Sequence, residues 1–307
     1  MKILYGIKDS NIDVTDICYS KLLNNNKITI PSGDFSRAAL FTDPCFGHHK
    51  LIFINKNDNN DDNDNNDNND NNFVEYNSLV EIIINLLDNT VTMSNIDMEA
   101  YMIHSKLQIK HGSFRDELPE QKMAIRYLTG NEKVLEIGGN VGRNSLVIGH
   151  ILREKQNNNF VTLESDPDIA NQLIENRNLN KLTFHVEKSA LSKRKLIQKG
   201  WDTMESDVVL DGYKNISIIS LEELYSKYNI QFDTLVLDCE GAFYYILMDM
   251  PEILNNVNLI IMENDYYDIS KKNYIDEILK TNNFNVVYVE AGGWGPCSNN
   301  FFEVWKK

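Results

Sequence analysis

The stretch Val134-Leu135-Glu136-Ile137-Gly138-Gly139-Asn140-Val141-Gly142 constrains this chain more than any other. A short apolar run, Lys133 to Ile137, carries one acid near its end. A glycine turn follows, and then an apolar segment from Ser145 to Leu152. That order reads as strand, tight turn and helix. Glycine lets the backbone turn sharply and come close to a ligand. The helix start behind the turn offers unpaired N–H groups and the positive end of a dipole.

Two cofactor classes use such a turn. The dinucleotide fingerprint needs glycines in G-x-G-x-x-G order, and here Asn140 stands where the second glycine belongs. The spacing instead fits acid-x-Gly-x-x-x-Gly, with Glu136 as the acid. In an S-adenosylmethionine site that acid faces the methionine ammonium and the glycine turn leaves room for the nucleoside. A second acid should close the next strand and hold the ribose hydroxyls; Phe160-Val161-Thr162-Leu163-Glu164 supplies it. Glu136, Gly138, Asn140, Gly142 and Glu164 are therefore the expected cofactor residues. Ser189, just after the third strand, is placed with them.

With 307 residues the chain has room for one large domain or two. The formal net charge is −15, of which six charges fall in the Asn/Asp tract 57–72, leaving −9 elsewhere. An acidic chain without a basic block is a poor partner for nucleic-acid phosphates. The four cysteines are far apart, so neither a zinc knuckle nor a disulfide framework is indicated. Met1 to Gly6 lacks a signal-peptide core, and the longest apolar stretch, Leu79 to Leu87, is short for a bilayer. The expectation is a soluble, cytoplasmic protein with no membrane partner. The Asn-rich tract is a compositional trait shared with AT-rich genomes, including giant viruses of amoebae, and fits a viral protein in host cytoplasm.

Residues 1–90 read as a small β-rich domain, with a disordered insertion at 57–72. Ser78 to Asn89 reads as a helix and Tyr101 to Ile109 as a strand. The polar lead-in around His111, Arg115 and Gln121 is of a kind that folds over a cofactor pocket, and His111 joins the catalytic candidates. Residues 91–307 then alternate strands and helices. Lys193 to Tyr213 reads as a loop, and Phe284 to Val289 with Phe301 to Trp305 as a terminal antiparallel pair. The fold class is α/β, a doubly wound, Rossmann-like sheet. Ligands of such sheets lie at the carboxyl ends of the strands, where Glu136, Glu164, Asp238, Glu240 and Glu263 all fall. If Asp238 and Glu240 end an extended strand, they face the same way. The pair can then act as a base or, with Glu263, as ligands of Mg2+ or Mn2+.

Gly112 to Trp305 resembles the FkbM family of S-adenosylmethionine-dependent O-methyltransferases. The likeness is carried by Val134 to Gly142, by Glu164 with Asp166-Pro167, by Asn176 and Asn180, by Ala190-Leu191-Ser192, by Ser220-Leu221-Glu222 and, most specifically, by Asp238-Cys239-Glu240-Gly241-Ala242. The resemblance implies a class I methyltransferase sheet and methyl transfer to a hydroxyl, often on a sugar or nucleotide-sugar in glycan biosynthesis. It also marks departures: Val236 and Phe243 stand where the family carries a lysine and a second glutamate, and Arg143 where it favours an aromatic. The first domain faintly resembles the small β-domain at the C-terminus of some DnaJ-type co-chaperones, through Leu4-Tyr5-Gly6, Ile12 to Thr15, Asp43 to Gly47 and Lys50. The expected partner is a small-molecule or glycan acceptor, and homo-oligomer formation is left open. The competing readings are an inactive methyltransferase fold serving as a scaffold, and an NAD-dependent dehydrogenase.

Overall fold

The computed structural model describes residues 1–24, 26–56, 73–78, 80–93 and 95–307. The tract 57–72, expected to be a disordered insertion, lies outside them. Two compact units, Met1–Tyr101 and Met102–Lys307, make up the chain, so the division falls between Tyr101 and Met102 rather than after residue 90.

The first unit opens with β1 (Lys2–Ile7), β2 (Ser10–Asp13) and α1 (Thr15–Ile17), then β3 (Leu23–Asn24), β4 (Lys27–Ile30) and α2 (Asp34–Phe41). β5 (Leu51–Asn55), β6 (Val74–Tyr76), β7 (Ile82–Asn85) and β8 (Thr90–Met93) follow. Two four-stranded sheets form, β2-β1-β5-β6 and β3-β4-β7-β8. Alternate residues of both, including Ile3, Tyr5, Ile52, Ile54, Ile28, Ile30, Ile82 and Ile84, meet in one core. That is the period-2 pattern of sheets buried on one face. The same pattern overrides the expected helix at 78–89. Ile82 and Ile84 are buried while Ile83 is half-buried, and Asn89 turns the chain at φ +56° into β8.

α3 (Asn95–His104), which begins in the first unit and ends in the second, replaces the strand expected at 101–109. Asp97 and Ala100 are buried, a three-residue spacing that suits a helix and begins upstream of the misread window. There follow α4 (Leu118–Tyr127), β9 (Val134–Ile137), α5 (Arg143–Arg153), β10 (Phe160–Leu163), α6 (Pro167–Leu179) and β11 (His185–Glu187). Next come β12 (Ala190–Leu191), β13 (Leu196–Lys199), β14 (Asp202–Glu205), β15 (Lys214–Asn215), β16 (Ile218–Ile219) and α7 (Leu221–Tyr228). β17 (Thr234–Leu237), α8 (Ala242–Asp249), β18 (Leu259–Glu263), α9 (Ile269–Thr281), β19 (Asn285–Glu290) and β20 (Phe302–Lys306) end the unit. The expected loop at 193–213 thus holds most of a small antiparallel sheet, β14-β13-β15. Its hairpin turns at Gly200 with φ +58°, and Ile197 and Gln198 alone are buried in its strands, too few to show a period in the sequence.

The main sheet runs β11-β10-β9-β17-β18-β20-β19. Its first five members are parallel, and β20 is antiparallel to both neighbours. Counted along the chain, that is the order third, second, first, fourth, fifth, seventh, sixth: a doubly wound, Rossmann-like α/β sheet. Alternate residues feed two cores. Leu135, Leu235, Leu237, Ile260 and Met262 face one; Val134, Val236, Ile261 and Val304 face the other, with α4 and α5. No helix among the described residues is long and apolar enough to cross a membrane.

Candidate active site

The order of strands reverses between β9 and β17, and such a switch point opens a crevice at the carboxyl ends of the strands. A cavity of about 620 Å3 lies there, with Gly138, Asn140, Glu164, Ser189, Asp238 and Glu263 in its wall. The turn after β9 is held tightly. The N–H groups of Gly138 and Gly139 both donate to the Leu163 carbonyl, at 3.0 and 2.9 Å. Gly138 sits at φ +95°, and a Cβ on it would lie 1.5 Å from the Asp238 carbonyl oxygen. Only glycine lets the two strand ends lie this close. The Asn140 N–H donates to Glu164 Oε2 at 2.9 Å, while its side-chain amide donates to Glu117 Oε1 at 3.2 Å. Glu164 also accepts from the Asp166 N–H at 2.8 Å.

Sheet geometry gathers acids beside this turn. Val236 and Asp238 share a face of β17, and Ile261 and Glu263 share the same face of β18, because side chains alternate along a strand. The register pairs Leu237 with Met262, which brings Asp238 level with Glu263. α4 packs on β18 from that face and adds Glu120. One carboxylate oxygen from each of Glu120, Asp238 and Glu263 lies within 4.8 Å of the other two. Burial and the neighbouring acids keep all three protonated more readily than usual: Glu120 is pushed up to about 7, Glu263 to about 10, and Asp238 well above the carboxylate range.

Glu240 is not one of this group. β17 ends at Leu237, and Glu240 adopts φ +50° in the turn that follows, so the strand period no longer applies to it. The Asp265 carboxyl beside it, with burial, pushes it up to about 8. Of Asp238, Glu240 and Glu263, expected to gather as metal ligands, the structure brings Asp238 and Glu263 together with Glu120 and leaves Glu240 beside Asp265. Glu136 is also placed differently. It shares a face of β9 with Val134, under α5, where Ser145 Oγ donates to it; it is buried and raised to about 7 rather than lining the cavity. Gly142 lies behind the wall as the N-cap of α5, at φ +93°. His111 does not line the cavity. Its Nε2 meets Glu175 Oε2 at 2.8 Å on α6, and with Lys110 it draws that carboxyl down to about 2. Gln121 binds His104 and the backbone of Phe114 and Asp116. Val236 and Phe243 are core residues. Arg143 pairs with Glu117 at 2.5 Å.

The outer wall comes from β13, β14 and α8. Arg194 grips Asp249 through Nε and Nη2, at 2.5 and 2.7 Å, and Glu205 through Nη1, at 2.9 Å. Trp201, Met204 and Tyr245 present apolar surface around it, with Gln198 and Thr203 as hydrogen-bonding neighbours. Eight acids line the cavity against one base, Arg194, whose charge is already matched. Nothing in the sequence aimed Glu120 at the cavity, and the rim falls largely in the segment read as a loop.

The raised carboxyls make stability depend on pH. Each of them holds a proton in the folded chain at a pH where the unfolded chain has released it, so ionising them opposes folding. Their contribution is whole below the ordinary carboxylate range and is lost as pH rises through about 7 for Glu120 and toward about 10 for Glu263. In chelator, Tm is expected to fall between about pH 6 and about pH 9, and to fall less in Glu263→Gln. An equal fall in both proteins contradicts this.

No family model and no curated protein matches the chain. Solved structures do. One is an O-methyltransferase from Bacillus cereus in complex with S-adenosylhomocysteine: 14% identity, 72% of this chain and 94% of that one, TM-score 0.41. Another is a ribosomal-protein methylase from Lactobacillus delbrueckii subsp. bulgaricus: 11% identity, 64% and 79% covered, TM-score 0.39. A third is a protein of the NADB-Rossmann superfamily from Streptococcus agalactiae: 12% identity, 61% and 67% covered, TM-score 0.39.

Proposed function

We propose that the chain is an S-adenosylmethionine-dependent O-methyltransferase acting on a hydroxyl of a neutral sugar or similar small molecule. The observation that carries this reading is the Gly138–Asn140 turn closed by Glu164 over a cavity rich in acids. The cofactor is cationic at its sulfonium and ammonium, which suits such a cavity. A dinucleotide brings a pyrophosphate, which needs free amides or basic groups at the turn. Here the Asn140 amide is engaged by a carboxylate, and Arg194 is matched by two acids. The same charge balance disfavours nucleic acid and phosphate-bearing groups inside the cavity.

Gly138, Asn140, Glu164 and Ser189 would hold the cofactor, with the Glu164 carboxylate accepting from ribose hydroxyls. The cofactor supplies a methyl already activated by its sulfonium, so the protein mainly has to align an acceptor oxygen with it. Asp238, at the end of β17 against the Gly138 turn, would take the hydroxyl proton once its own proton has been released. Trp201 and Tyr245 offer flat faces for a sugar ring, and Gln198 and Thr203 offer hydrogen bonds.

Calorimetric titration with S-adenosylmethionine, S-adenosylhomocysteine and NAD tests the reading; binding of NAD alone would overturn it. Glu164→Ala is expected to weaken S-adenosylhomocysteine binding by about 1–3 kcal/mol, the scale of a charge-assisted hydrogen bond. Unchanged affinity in a folded variant would remove the assignment of Glu164.

A further inference from the structure

We propose that Glu120, Asp238 and Glu263 together bind one divalent, oxygen-preferring cation of the Mg2+, Mn2+ or Ca2+ type. Hard cations hold carboxylate oxygens at about 2.0–2.6 Å, so oxygens of one coordination shell lie no more than about 5 Å apart. The three side chains meet that limit, each offering an oxygen within 4.8 Å of the others.

A second observation points to a ligand. Glu120 is 6% exposed, and its Oε2 has no hydrogen-bond partner although it lies on the cavity wall. A buried carboxylate oxygen left without a donor is costly. Among the described residues no basic side chain forms an ion pair with any of the three acids. The Glu120 and Glu263 carboxyls hydrogen-bond to each other, and a cation would supply the countercharge that the three acids lack and a partner for Glu120 Oε2.

Charge and donor type select its class. Three carboxylates can carry three negative charges; an ammonium would leave two uncompensated and a divalent ion one. The cluster contains neither imidazole nor thiolate, which favours Mg2+, Mn2+ or Ca2+ over Zn2+ or Cu2+. Two ligands stand on adjacent strand ends and the third on a helix packed against one of those strands. The set therefore needs little rearrangement to close. Glu240 stays with Asp265 outside it.

The ion site stands apart from the methyl-transfer reading, but its use rests on that reading: a cation here would ease deprotonation of an acceptor oxygen that approaches it. The test begins with full-length protein stripped with chelator and titrated with Mn2+ alone, followed by electron paramagnetic resonance and calorimetry. S-adenosylhomocysteine is titrated into the same samples. One Mn2+ site, displaced by Mg2+ or Ca2+, is expected. Glu120→Gln and Glu263→Gln should each weaken Mn2+ about tenfold or more. Glu240→Gln should change it less than about threefold, since it lies outside the ligand set. Thermal melting confirms that the variants fold. Absence of Mn2+ binding, or affinity indifferent to both variants, overturns the site. Glu120-dependent binding of spermidine without Mn2+ binding overturns it in favour of an organic cation. Loss of S-adenosylhomocysteine binding with Mn2+ binding intact would instead count against the proposed function and leave the ion site standing.

Discussion

Asp238→Asn is expected to lower kcat by about 10²-fold or more, the usual scale for removing a group that handles a reacting proton. S-adenosylhomocysteine should still bind within a few-fold, because the Gly138 turn and Glu164 are untouched. The asymmetry follows from position. Asp238 extends β17 by one residue, on the face it shares with Glu263, and its carboxyl belongs to the acid group beside the Gly138 turn. Its backbone, not its side chain, packs against Gly138. A panel of sugars, free and nucleotide-linked, supplies the acceptor for the assay. Full activity in Asp238→Asn removes it from the chemical step. Equal loss of turnover and cofactor affinity makes it part of the binding site instead.

Gly138→Ala should do more damage. A Cβ at φ +95° is strained in itself, and this one would lie 1.5 Å from the Asp238 carbonyl oxygen, which belongs to backbone and cannot swing aside. Two strand ends must separate to admit it. The expected loss is about 3 kcal/mol or more of stability, together with loss of measurable cofactor binding. Gly200→Ala is the control: its φ is +58°, yet nothing lies within 4 Å of its Cβ position, so it should cost about 1 kcal/mol. Urea unfolding of the two variants measures the difference. If they cost the same, the close approach at Gly138 is not what fixes the turn.

Much of the sheet was legible because its strands are short apolar runs closed by acids. Glu164, Asp238 and Glu263 could be placed at strand ends from run length alone. What the sequence withheld depends on facing and on backbone detail. Glu136 follows the strand period onto the face beneath α5 instead of toward the cavity. Glu240 leaves that period because φ turns positive there. Glu120 sits on a helix whose contact with β18 exists only in three dimensions. His111 found an acid on α6, a partner 64 residues away. The rim strands lack a hydrophobic period because nearly all their side chains face solvent or the cavity.

The position of β20 bears on how this protein is made. A ribosome delivers β18 and β19 before β20, yet β20 lies between them in the finished sheet. Until Phe302–Lys306 emerges, β18 has a companion strand on one border alone, and β19 lacks the strand it joins. The nascent chain therefore travels with two bare strand borders and an unfilled slot for Trp305, which is buried once folding ends. Translation up to that point yields a sticky intermediate. Chaperone protection is expected to matter most just before β20 joins the sheet.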